Sequence, residues 1–297
     1  MVRFHEPVLL KEVRHYLEVR EGEKYIDATV GGGGHAKAIL KSGGKLLAID
    51  CDPEAVKAAR EYFSTACPNT SWRLAQGNFK DLARIAKKNG FTNVAGILFD
   101  LGVSSFQLGE KERGFSFDLE GPLDMRMDPE LKVTAADLVN GLNKGELNEL
   151  FSKFGQKYYS RHLAEAIVNA RQLKPIRTTR ELAAVISKVL PRKIRGSRLH
   201  PATLCFLALR VVVNDELNNL EAALPQALSL LKSKGRLLVI SFHSGEDRLV
   251  KQFLRNSEKE GKIKVITKKP VRPATEEIAS NPRSRSAKLR VGEKWSL

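Results

Sequence analysis

Cysteine is scarce in this chain. There are three in 297 residues, Cys51, Cys67 and Cys205, and no two form a C-x-x-C pair. That spacing excludes a disulfide framework and offers no zinc-finger ligand set, so no metal is expected. Cys67, ahead of Pro68, has no His or acid beside it to activate a thiolate, and reads as structural. Long apolar runs are also missing. No segment approaches the roughly 20 residues needed to cross a bilayer, and Met1 to Pro7 has no apolar signal core. A soluble, cytoplasmic protein with no membrane partner is expected. Negative charge is in deficit too. Asp and Glu number 34 against 50 Lys and Arg, a formal charge of +16. That excess favours a polyanionic partner, nucleic acid first; the alternative is a lysine-rich surface serving solubility. With 42% hydrophobic residues the chain can bury a proper core, as one large domain or two ordinary ones.

What is present is an alternation of short apolar runs and helical patterns. Lys24 to Ala28, Lys45 to Asp50, Ser71 to Ala75 and Val94 to Asp100 read as strands. Between them His35 to Lys41, Pro53 to Phe63 and Asp81 to Asn89 read as helices, with Pro53 suited to a first turn. Such alternation implies an α/β fold with a mostly parallel sheet covered on both faces. Near Arg113 the pattern changes. Residues 114–200 offer only helical blocks, Thr134 to Leu142, Lys144 to Phe154, Tyr158 to Gln172 and Thr179 to Leu190. Asn143 with Glu146, and Thr178 with Glu181, are capping boxes. A long helix is expected from about Pro201 to Leu231, then a strand over Arg236 to Phe242. Ile263 to Thr267 and Ser286 to Val291 would close the sheet as an antiparallel pair. We therefore expect a discontinuous core, residues 1–113 and 201–297, interrupted by a helical domain at 114–200.

The chemistry concentrates at strand ends. Asp27-Ala28-Thr29-Val30-Gly31-Gly32-Gly33-Gly34-His35 lies where a strand hands over to a helix. Glycines there admit positive φ and close approach of a ligand to the backbone, at the carboxyl edge of the sheet. Gly31, Gly33 and Ala36 also satisfy the dinucleotide fingerprint, so the loop alone leaves NAD open. Asp50 ends the next strand, where an acid accepts hydrogen bonds from ribose hydroxyls of either cofactor. Asp27 favours S-adenosylmethionine. That cofactor has no pyrophosphate for an acidic rim to repel, and its ammonium and sulfonium are drawn to carboxylates. Asp100-Leu101-Gly102-Val103-Ser104-Ser105-Phe106-Gln107 follows the fourth strand, facing a cofactor's reactive end. Asp100, then Ser104 and Ser105, are the candidate catalytic residues. Acceptors there suit an exocyclic amine such as cytosine N4. Its lone pair is delocalised, and acceptors stabilise the charge that grows during attack on a methyl group. The alternative for Asp100 is a helix cap. Ser241 to Arg248 reads as a substrate-binding loop rather than a Ser-His-Asp triad, since no nucleophile elbow is present.

Taken together these motifs resemble the bacterial 16S rRNA (cytosine-N4)-methyltransferases, the MraW family. The matching stretches include His5 to Leu10, Tyr25 to Thr29 with the glycines and His35, Asp100 to Ser105 and Arg113 to Phe117. Gly121 to Met127, His200 to Thr203, Val213 to Leu217, Ser241 to Ser244 and Asn281 to Arg290 extend the likeness. Gly32 and Gly245 stand where many members carry larger side chains. The resemblance implies a Rossmann-like S-adenosylmethionine-dependent methyltransferase core with an inserted all-helical, RNA-recognising domain. It implies cofactor contacts at Gly33, Gly34, His35, Asp50, Phe79, Asp100 and Gln107. It also implies a partner, 16S rRNA within the small ribosomal subunit or a late assembly intermediate. The competing readings are an NAD-dependent dehydrogenase and a non-catalytic RNA-binding assembly factor. The sequence is compatible with a monomer or a homodimer.

Overall fold

The computed structural model describes residues 7–154, 159–190 and 201–296. They divide into two compact units, one from the N-terminal stretch through Gly102 plus Leu217 onward, the other Val103–Glu216.

In the first unit a seven-stranded sheet forms from β1 (Lys24–Asp27), β2 (Lys45–Asp50), β3 (Trp72–Gln76), β4 (Val94–Asp100), β5 (Leu231–Ser241), β6 (Ile263–Val265) and β7 (Lys288–Lys294). The order is β3-β2-β1-β4-β5-β7-β6. The first five are mutually parallel, and β7 runs antiparallel to both β5 and β6. This is the Rossmann-like methyltransferase arrangement, and the expected closing antiparallel pair is present. Continuous apolar runs such as Leu46–Ile49 and Ile97–Phe99 suit strands buried on both faces. Successive side chains alternate between two cores. Leu46 and Ala48 join Tyr25, Leu98, Leu238 and Ile240 in one; Leu47 and Ile49 join Ile26, Ile97, Phe99 and Val239 in the other. The chain leaves β1 toward β2 and β3 on one side and returns to β4 on the other. The carboxyl ends of β1 and β4 thus flank the switch point where open α/β sheets bind ligands.

β5 begins five residues earlier than the sequence suggests. Its pairing with β4 jumps from Val94↔Leu231 to Gly96↔Arg236, and the intervening Lys232 to Gly235 bulge out, with Lys234 at φ 61°. Those polar residues hide the strand's start from a hydrophobicity pattern.

The second unit is helical. Ala135–Gly141, Lys144–Lys153, Ser160–Leu173, Thr179–Val189 and Pro201–Val213 surround one buried cluster that includes Leu150, Phe151, Ile167, Ile186 and Phe206. Both expected capping boxes form, Asn143 with Glu146 and Thr178 with Glu181, and Thr134 with Asp137 adds a third. The long helix expected over 201–231 is in fact two, Pro201–Val213 and Glu216–Leu230. Asp215 sits at φ 50°, a left-handed conformation that Asp and Asn tolerate better than most residues. The break is a unit boundary as well. Cys205, Phe206 and Leu209 pack in the helical cluster while Leu220 and Leu224 pack under the sheet. Residues 103–113 and 201–216 therefore group with the helices, where the sequence had placed them with the sheet. Among the described residues no helix is long and apolar enough to cross a membrane.

Candidate active site

Three strands deliver an acid each to the carboxyl edge of the sheet: Asp27 from β1, Asp50 from β2 and Asp100 from β4. The chain beyond β1 stays tethered to both neighbours before it turns. Ala28 N–H donates to Leu98 O at 2.9 Å and Val30 N–H to Ile49 O at 2.8 Å. Thr29 turns inward and its Oγ1 accepts the Asp100 backbone N–H at 2.6 Å. Thr29 thus fixes the end of β4 against the end of β1, a role not evident from sequence. Gly31 and Gly33 then adopt φ 44° and 78°. A Cβ on Gly33 would lie 2.9 Å from the Phe63 ring, and one on Gly34 would lie 2.6 Å from Pro7 Cγ. At Gly33 the backbone conformation and the space both demand glycine, and at Gly34 the space does.

Asp50 closes the loop from the other side. Its Oδ2 accepts Gly31 N–H at 2.9 Å and its Oδ1 accepts Asp52 N–H at 3.0 Å. Phe79 follows β3 and meets the Phe99 ring edge-on at 5.7 Å between centroids. His35 enters the first turn of the helix Gly34–Lys41, 5% exposed, with Nε2 3.4 Å from Asp100 Oδ2. Asp100 Oδ1 is buried without a hydrogen-bond partner. Orphaned buried polar atoms cost about 1–3 kcal/mol each and mark sites built for something other than stability.

The electrostatics agree. Burial pushes the Asp27 carboxyl up to about 7; the nearby His35 and the Thr29 N–H oppose this, while the charges of Asp100 and Asp50 add to it. Burial likewise pushes Asp50 up to about 6, against the N–H donors of Asp52 and Gly31. For His35, burial disfavours the imidazolium, but contact with Asp100 and the charge of Asp27 outweigh it, so its pKa is raised. Such a cluster of reluctantly ionised acids fits a cationic, hydroxyl-bearing nucleoside. It does not fit a pyrophosphate, which would add like charge. The donor set thus answers the ambiguity of the glycine loop in favour of S-adenosylmethionine over NAD.

Ser104, Ser105 and Gln107 belong to the helical unit. Ser104 Oγ accepts Gln107 N–H at 3.1 Å and Gln107 Oε1 accepts Ser104 N–H at 2.9 Å, a reciprocal cap on the short helix Ser105–Gly109. That cap accounts for the pair structurally. The Ser105 side chain, like His5, Glu6 and His200, lies outside the described residues. The Ser241 to Arg248 stretch has a structural account too. His243 caps the helix Ser244–Lys259 through Nδ1, and Glu246 Oε2 accepts the N–H groups of Phe242 and His243. Asp247 instead binds Arg290 at 2.7 Å and Lys288 at 3.1 Å, so no Ser-His-Asp relay exists here. In the helical unit, Gly114 and Gly121 are steric requirements. A Cβ on Gly114 would collide with Pro122 O, and one on Gly121 with Lys111 O.

A parallel sheet with an acidic, glycine-lined switch point and an antiparallel last pair defines an S-adenosylmethionine-dependent methyltransferase. Residues 2–295 match the model of the MraW methylase family, and the chain belongs to that family. Curated relatives named ribosomal RNA small subunit methyltransferase H are similar over nearly the whole length. That of Thermomicrobium roseum is 48% identical, covering 98% of this chain and 93% of its own. That of Persephonella marina is 46% identical, covering 98% and 99%. That of Dehalococcoides mccartyi strain BAV1 is 45% identical, covering 98% and 86%.

Proposed function

We propose that the chain transfers a methyl group to the exocyclic N4 of a cytidine in the decoding centre of 16S rRNA, within the small ribosomal subunit or a late assembly intermediate. The relatives' names supply the small-subunit RNA; a free acceptor at the site supports an amine as the target. One observation carries it. Asp100 stands at the end of β4, a quarter exposed, with one oxygen facing His35 and the other unpartnered.

S-adenosylmethionine, when bound, supplies a sulfonium-activated methyl group. Asp50 would hold the ribose hydroxyls, and Gly33 and Gly34 would let the cofactor lie close to the backbone. His35 and Phe79 would add cofactor contacts in this unit, and for Gln107 a cofactor contact is what the family resemblance implies. Asp27 places a carboxylate for the cofactor's cations. Asp100 accepts an N–H of the target amine, which favours a pyramidal nitrogen whose lone pair is free to attack. As charge grows on that nitrogen, the same carboxylate stabilises it, and the proton leaves to Asp100 or to water. Holding the amine in line contributes the rest. Ser104 and Ser105 remain further candidates for contact with the target. The helical unit and the basic stretch from Lys268 to Arg290, with seven Lys and Arg, would hold the RNA.

The test is methyl transfer from labelled S-adenosylmethionine to small subunits from cells lacking the enzyme. Label is expected in N4-methylcytidine, and label in another nucleoside or none at all refutes the reading. Asp100→Ala is expected to lower the transfer rate on the order of a hundredfold or more while circular dichroism shows the fold intact. An active Asp100→Ala protein removes Asp100 from the chemistry.

A further inference from the structure

The basic stretch before the last strand is built unlike a tail. From Lys268 to Arg290 it carries seven basic residues and two acidic ones. Lys288 and Arg290 are consumed by Asp247. Of the acids, Glu277 is half-buried and its Oε1 accepts Leu9 N–H at 2.8 Å. The other five cations, Lys268, Lys269, Arg272, Arg283 and Arg285, are exposed. Their backbone, in contrast, is fixed. Pro270, Pro273 and Pro282 restrict it. Ser284, fully buried between the two exposed arginines, donates its hydroxyl to Asn281 O at 2.8 Å. Val271 and Leu289 exchange two backbone hydrogen bonds of 2.9 Å.

Register places this strap at the edge that holds the site. Asp100 pairs with Ile240, Ile240 with Leu289, and Leu289 with Val271. Three strand spacings of about 4.8 Å separate the Asp100 and Val271 backbones by roughly 14 Å. At roughly 3.4 Å per stacked residue of a nucleic-acid strand, that is about four nucleotides. A ridge of unpaired, preorganised cations at this distance from an amine-accepting carboxylate suits a polyanionic strand that must be held while one base is treated.

The geometry points to a phosphate-binding strap, Lys268 to Arg285, that grips the single-stranded RNA backbone a few nucleotides from the target base. Its fixed backbone lowers the ordering cost of each phosphate contact. This inference rests on the proposal that RNA is the substrate.

The experiment compares the intact protein with R272Q/R283Q/R285Q and with a charge-matched control, K57Q/R60Q/K87Q, whose residues are exposed on helices away from the strap. The probe is a fluorescein-labelled single-stranded RNA of about a dozen nucleotides, within the usual site size. Anisotropy titrations across salt concentrations give the slope of log affinity against log salt. Three lost contacts at roughly 0.7 each lower that slope by about two, and affinity near 0.1 M salt falls on the order of tenfold. The control changes the slope by less than half as much. In methyl transfer, KM for RNA rises by a similar factor while kcat stays within about twofold. S-adenosylhomocysteine binding and melting temperature are unchanged. Equal slopes for the two triple variants overturn the strap. So does a polyglutamate peptide that competes with the RNA at equal charge, since the surface would then be a general polyanion site serving an acidic protein. If the intact protein methylates no RNA, the proposed function fails, and the strap is still decided by the slopes.

Discussion

Asp27→Asn separates the cost of the acidic cluster from its use. In the folded chain burial raises the Asp27 pKa to about 7, against 3.8 for an exposed carboxyl. Below about pH 4 folded and unfolded chains both carry the proton. From there to about pH 7 the unfolded chain has lost it while the folded chain keeps it. Stability therefore falls as pH rises, by about 1.4 kcal/mol per pH unit for this one group, and levels off above pH 7. Between pH 5 and pH 8 the decline covers about two pH units, or about 3 kcal/mol as an order of magnitude. The asparagine variant keeps the shape and an acceptor for Thr29 N–H, which lies 3.2 Å from Asp27 Oδ1, but it has no proton to lose. Its stability relative to the parent is expected to rise by that amount between the two pH values. Trp72 and Trp295, the two tryptophans of the chain, both belong to the unit that contains Asp27. Urea melts followed by tryptophan fluorescence at pH 5 and pH 8 thus report the relevant transition. The same substitution removes a carboxylate from beside the cofactor's cations, so S-adenosylmethionine affinity at pH 8 is expected to fall on the order of tenfold. A stability difference that stays flat or shrinks from pH 5 to pH 8 refutes the assignment of a buried, reluctantly ionised acid at this position.

Cofactor affinity itself should depend on pH. Asp27 at about 7 and Asp50 at about 6 must both ionise, the one to serve the cofactor's cations and the other to accept its ribose hydroxyls, so binding is expected to tighten from pH 5 to pH 8 and to release protons near pH 6. Calorimetry in buffers of different ionisation enthalpy measures this, and a pH-independent affinity contradicts it. In the helical unit, Asn214→Ala is expected to destabilise by about 2–4 kcal/mol. It strips partners from Met127 N–H, bound at 2.7 Å, and from the carbonyls of Met125 and Arg210, at 2.7 and 2.9 Å. Far-UV circular dichroism during thermal melting reads the loss, and a cost below about 0.5 kcal/mol removes Asn214 as the anchor of that loop.

Much of the sheet was legible because parallel strands are simple to read. β1, β2 and β4 are short apolar runs ending on an acid, and no competing pattern overlaps them. The glycine loop was legible for a similar reason, since Gly31 and Gly33 mark positive φ directly. What local reading missed depends on distant partners. Residues 201–230 keep a helical apolar pattern across Asn214 and Asp215, so nothing local shows that the two halves serve different cores. The break is fixed by Asn214 reaching Met125 and Met127, 87 to 89 residues away. Thr29 was invisible as a site residue because its partner is the backbone of Asp100, 71 residues on. Ser104 and Gln107 present the opposite problem. They look like a polar cluster after a strand, and their own hydrogen bonds close into a helix cap.

The site's acidity and the chain's basicity look contradictory, yet they act at different ranges. A formal charge of +16 sets a long-range field that draws in RNA, and salt screens it beyond roughly 8–10 Å. The carboxylates of Asp27 and Asp50 act over contact distances inside a low-dielectric edge, where burial strengthens rather than screens them. A surface acid could not do this, because water would satisfy it and blunt its preference for a cation. Burial has the cost seen in the raised carboxyl pKa values, and a bound cation returns that cost as cofactor affinity. The folded chain alone is therefore less stable near neutral pH than its apolar core permits. Cofactor binding and folding are coupled through Asp27 and Asp50, so saturating S-adenosylmethionine should stabilise the parent protein more at pH 8 than at pH 5.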